Sequence, residues 1–76
     1  MPRLKCKFRE FIVIIENHGF ELIRHGASSH RRYRGVIDGE ARFVDVAAHS
    51  LNDDIKPKTL QSMIRQSGLP KKLFVK

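Results

Sequence analysis

A chain of 76 residues with 15 Lys and Arg against 8 Asp and Glu, for a formal charge of +7, has room for one small domain and a surface site rather than a deep cofactor pocket. That balance points to a polyanion or an acidic protein as partner, and a single cysteine, Cys6, excludes an internal disulfide framework and fits a reducing cytosol. The longest uncharged apolar run covers residues 11–15, far short of a membrane span, and no secretory signal pattern comes before it, so the chain reads as cytoplasmic with no membrane attachment.

Phe8, Phe11, Ile12 and Ile15 recur at the spacing of an amphipathic helix, predicted over residues 5–18. Val13 and Ile14 widen the apolar face and predict deep burial, and Gly19 supplies a left-handed C-cap. Phe20, Leu22 and Ile23 predict a short strand over residues 20–25, and the small residues at 26–29 a turn. Tyr33, Val36 and Ile37 mark a second strand from His30 to Ile37, after which Asp38-Gly39 is a strong hairpin signal. Residues 42–46 alternate, with Val44 and Val46 on one face and Phe43 and Asp45 on the other.

Residues 47–56 are polar and irregular. Pro57 suits the first turn of a helix whose stripe is Leu60, Met63 and Ile64, closed by Gly68 with Pro70 just beyond. The basic tail, 71–76, offers Leu73 and Phe74 as anchors. Residues 1–76 therefore predict a single α+β domain of order α-β-β-β-α: a three-stranded antiparallel sheet with two helices on one face, as in double-stranded-RNA-binding domains. Topology of this kind assigns no function by itself.

The chemistry gathers around His30. Between Glu21 and Asp38 there is no acidic residue, while Arg24, Arg31, Arg32 and Arg34 all fall in that interval. Histidine exchanges a proton near neutral pH, and arginine holds phosphate bidentately, a pairing suited to cleaving RNA without a metal. In a strand, His30, Arg32 and Arg34 point one way and Arg31 and Tyr33 the other. If Tyr33 packs under the helices, the first three share the open face. The competing readings are an idle strand histidine and a solvated charged face.

His49, in the loop after the third strand, is the candidate for a second acid or base. His18 reads as a helix-terminal cation and His25 as a strand end. His25, His30 and His49 with one isolated cysteine do not make the four-ligand pattern of structural zinc, so no metal or cofactor is expected. Lys56 and Lys58 flank Pro57 at a helix start, where unpaired N–H groups favour anions, with solvated lysines as the plainer reading. No glycine-rich phosphate loop, carboxylate pair or nucleophilic triad spacing is present.

These residues fall in an order that resembles the HicA toxins, small ribonucleases of HicBA toxin–antitoxin pairs. The match runs through Gly19-Phe20-Glu21-Leu22-Ile23-Arg24, Ser29-His30-Arg31-Arg32-Tyr33-Arg34, Val44-Asp45-Val46 with His49, residues 55–60, and Ile64-Arg65-Gln66-Ser67-Gly68-Leu69. Two positions depart from the family pattern: Ser28 stands where it has glycine, and Ala47-Ala48 where it has a proline before the second histidine.

The resemblance implies an mRNA-cleaving endoribonuclease with His30 catalytic. Ser29, Arg31, Arg32, Arg34, Lys56 and Lys58 would contact RNA. A HicB-like antitoxin would be its partner, and promoter DNA would be reached only through the antitoxin complex. A non-catalytic RNA-binding module of the same fold is the alternative, and a toxin-like protein that has lost activity a third.

Overall fold

The computed structural model describes residues 4–26 and 30–75. Helix α1 covers Phe8–Asn17, strands β1, β2 and β3 cover Glu21–His25, His30–Ile37 and Glu40–Ala47, and helix α2 covers Pro57–Ser67. A 3₁₀ turn follows at Lys71–Phe74. The expected order α-β-β-β-α is therefore present, with the strands in the antiparallel order β1-β2-β3. Beyond Gly26, the expected turn at 26–29 lies outside the described residues, and so does Ser29.

The β2–β3 hairpin has the sequence signature and the geometry of a two-residue turn. Ile37 pairs with Glu40, and Asp38 and Gly39 between them take φ of 53° and 83°. Positive φ at both central residues matches the right-handed twist of the flanking strands. With the turn set, the pairing follows without a slip from Ile37–Glu40 to His30–Ala47.

Both helices cover the same face of the sheet. Phe11, Ile12 and Ile15 of α1 and Leu60, Met63 and Ile64 of α2 join Tyr33, Val44 and Val46 in one core, with Phe20, Ile55 and Phe74. Val13 departs from expectation, being half exposed. Five consecutive apolar residues wrap most of the way round a helix, and only one stripe can face a single sheet.

Helix α1 also starts at Phe8, three residues later than its pattern predicts. Residues 4–7 are extended instead, with bridges from Leu4 to Val75 and from Lys7 to Asp54. The irregular segment after β3 is tied to this same corner. Phe8 N–H donates to the Asp53 carbonyl at 3.1 Å, Arg9 N–H to the Leu51 carbonyl at 2.9 Å, and Ile55 N–H to the Cys6 carbonyl at 2.9 Å. The first two of these bonds satisfy N–H groups that the start of α1 leaves unpaired.

The carboxyl end is anchored by Phe74, whose ring stacks on Phe11 with centroids 5.1 Å apart. Helix α2 keeps both predicted boundaries: Pro57 opens it and Gly68 closes it at φ 72°. Buried Ser67 reinforces that end, donating to the Ile64 carbonyl at 2.6 Å and accepting from Leu69 N–H at 3.1 Å.

Gly35 is held to glycine by packing. A Cβ there would stand 2.7 Å from the Phe20 ring, which lies across the buried face of β2. Gly35→Ala should therefore destabilise the domain by about 1–3 kcal/mol through overpacking, read as a lower urea midpoint. The same substitution in a Phe20→Leu background should cost less. Equal midpoints for Gly35→Ala and the parent protein would show that this contact relaxes freely.

Candidate functional site

Alternation along β2 carries Arg31, Tyr33, Gly35 and Ile37 toward the helices and leaves His30, Arg32, Arg34 and Val36 on the open face. Residues paired across an antiparallel ladder share a face, so the register sets out this surface row by row. His30 stands opposite Ala47. Arg32 lies between Arg24 of β1 and Asp45 of β3. Arg34 lies between Glu21 and Phe43, and Val36 faces Ala41.

His30 opens β2 and is exposed. Its carbonyl accepts from Gly26 N–H at 2.8 Å, which fixes its backbone, while its ring makes no hydrogen bond with any described residue. The imidazole is thus set on rigid strand backbone and open to a ligand.

The arginines are less uniform in space than in sequence. Arg32 Nη1 lies 3.4 Å from Asp45 Oδ1, and Arg32 Cζ lies 4.8 Å from the centroid of the Phe43 ring. Arg34 faces Glu21 across the ladder without forming an ion pair. Arg31 is half-buried on the helix side, opposite Val46 and His25. Of the residues expected to contact RNA, the open face brings together His30, Arg32 and Arg34.

Arg24 joins them. Strict period-two alternation from Glu21 would send Arg24 to the opposite face. A bulge between Leu22 and Arg24 absorbs one extra residue, so Glu21 and Arg24 face the same way, opposite Arg34 and Arg32. A local sequence pattern carries no signal for that insertion.

A pocket lies at the end of the sheet where His30 stands. It is lined by Ala47, His49 and Lys56, with Phe8, Asp53, Asp54 and Thr59. His49 and Lys56 are thus brought together beside Ala47, the cross-strand neighbour of His30. Lys56 is the residue before the first turn of α2, and no side chain caps that helix start. Lys58 is exposed in the same first turn and does not line the pocket. His18 lies apart from the site, its Nδ1 bonded to the Ile14 carbonyl at 2.8 Å near the end of α1.

The family model described as the HicA toxin of bacterial toxin–antitoxin systems matches residues 8–69. The chain belongs to the HicA toxin family. Neither a curated protein nor a solved structure matches it. Membership makes this chain the toxin component of a toxin–antitoxin system and implies an antitoxin protein as partner. The matched span takes in α1, the whole sheet and α2, so every residue of the open face and of the adjoining pocket belongs to the HicA domain. No helix among the described residues is long and apolar enough to cross a membrane.

The Arg32–Asp45 pair is well exposed, with 44 % and 63 % of the two side chains accessible, so solvent screens it. A double-mutant cycle on Arg32→Ala and Asp45→Ala should give a coupling below about 1 kcal/mol in unfolding free energy. A coupling of several kcal/mol would mean that the pair holds the sheet together.

Proposed function

We propose that this HicA-family toxin is an endoribonuclease that cuts mRNA in the cytoplasm, with His30 transferring the proton and a HicB-like antitoxin silencing it. What carries this reading is the position of His30: exposed, backbone-anchored, and at the end of a face that also bears Arg32, Arg34 and Arg24.

In this mechanism the RNA 2′-oxygen attacks the adjacent phosphorus. The O2′–P bond forms, the P–O5′ bond breaks, and the products are a 2′,3′-cyclic phosphate and a 5′-hydroxyl. Neutral His30 accepts the 2′-hydroxyl proton as general base, and a proton must be returned to O5′. His49 is the candidate for that return, since its pocket adjoins Ala47 directly across from His30. His30 serves instead as the acid if substrate phosphate keeps it protonated.

Arg24, free of ion pairs with described residues and opposite Arg32, two residues from His30, is the donor best placed to meet charge growing on the phosphoryl oxygens. Arg34, equally unpaired but four residues from His30, would hold a neighbouring phosphate. Lys56 and Lys58, at the first turn of α2, would hold backbone phosphate and so position RNA without reading its sequence. Arg31 faces the helices, away from this chemistry.

The deciding assay is incubation of a long RNA with the protein in EDTA, beside a His30→Ala variant shown to be folded. The parent protein should cut and the variant should lose about 10²–10⁴-fold in rate. RNA retarded on a gel but left whole by both proteins would make this a binding module of the same fold. Arg24→Ala and Arg34→Ala should each weaken RNA binding across all sequences. Each should also lower the slope of log affinity against log salt by about 0.7 for single strands. An unchanged slope would remove that arginine from the phosphate contacts.

A further inference from the structure

We infer that Phe43, layered with Arg32, is a base-stacking subsite, and that the RNA taken by this face is single-stranded where it crosses the sheet. The inference rests on the RNA reading above and deepens it. Phe43 has 40 % of its surface exposed on the side of the sheet away from the core. The burial that justifies a large aromatic elsewhere in this domain is therefore missing here. Its partner across the ladder is Arg34, and Arg32 reaches over its ring from the neighbouring row.

Arg32 is held from two sides, by the Asp45 carboxylate at 3.4 Å and by the Phe43 ring at 4.8 Å from its centroid. An arginine committed to a carboxylate and an aromatic ring is a poorer phosphate clamp than one without an ion pair, and a better stacking surface. Guanidinium planes and phenyl rings are the groups on which unpaired RNA bases stack. Labour on the face then divides, with Arg34 and Arg24 for phosphate and the Phe43–Arg32 pair for a base.

The register also places this subsite relative to the chemistry. Phe43 stands four residues before Ala47, which lies opposite His30. At about 3.3 Å per residue that is roughly 13 Å along the strand. The stacked base is therefore not the one beside the phosphate being cut. An extended strand must run along β2 and β3, with Arg34 beside the stacked base and Arg32 between that base and His30. A duplex cannot satisfy this, because its bases are stacked on one another and it offers side chains only phosphates, 2′-hydroxyls and groove edges.

The test separates binding from cutting by using His30→Ala protein. The probe is a single-stranded RNA of about eight nucleotides, within the usual site size of such grooves, carrying 2-aminopurine. A blunt duplex of the same sequence is the comparison. Phe43→Ala should weaken the single strand about 5- to 150-fold and abolish the fluorescence quench, while leaving the melting curve of the protein in place. Phe43→Trp should restore both signals, and the duplex should bind weakly with no dependence on Phe43. Unchanged affinity and quench in Phe43→Ala, or duplex binding as tight as single-strand binding, would overturn the subsite while RNA binding stood. Failure of both RNAs to bind would overturn the RNA reading as well.

Discussion

Tyr33 is buried between the central strand and the two helices, and because side chains alternate along β2 its burial sets the direction of every other residue on that strand. His30, Arg32 and Arg34 face outward because Tyr33 faces inward. A slip of one residue would exchange the two sets, putting guanidinium groups into the core. Three features hold the register against it. The Asp38-Gly39 turn fixes one end of the hairpin, the Phe20 ring fits only over Gly35, and Val44 and Val46 need the same buried face. Packing on one side of the sheet thus arranges the chemistry on the other.

Electrostatics on the open face depend on pairing more than on total charge. The formal charge of +7 belongs to the whole chain. On the face itself three arginines meet two carboxylates, Glu21 and Asp45, both brought in by neighbouring strands. Arg32 gives part of its charge to Asp45, whereas Arg24 and Arg34 form no ion pair with a described residue. An exposed pair of this kind adds little to stability, so its consequence lies in positioning the Arg32 side chain beside Phe43.

The chain announces those elements whose ends carry their own punctuation. Pro57 and Gly68 bracket α2 at its observed limits, and Asp38-Gly39 places the β2–β3 turn. Where an element answers to distant partners, local pattern falls short. Residues 4–7 carry the apolar and basic look of a helix start, yet they are drawn out by bridges to Val75 and Asp54, more than forty residues away. Arg24 was legible as part of a basic block but not as a member of the open face, because the bulge in β1 exists only in its pairing with β2. For Phe43, alternation correctly gives the outward direction, while its contact with Arg32 requires the register between two strands.

His30 sits at a seam between two regions that the fold keeps on different sides of the sheet. One is the open face, with Arg24, Arg34 and the Phe43–Arg32 pair; the other is the pocket at the start of α2, with His49 and Lys56. Ala47 belongs to both, lining the pocket and standing opposite His30. A strand of RNA held by the sheet and by the helix start together would have to turn past this corner, bringing one phosphate to the imidazole. Lysines at a helix start serve a double-stranded-RNA-binding domain as backbone contacts alone. Adding an exposed histidine and an arginine-bearing sheet face at the adjoining corner is what would turn the same scaffold from holding RNA to cutting it.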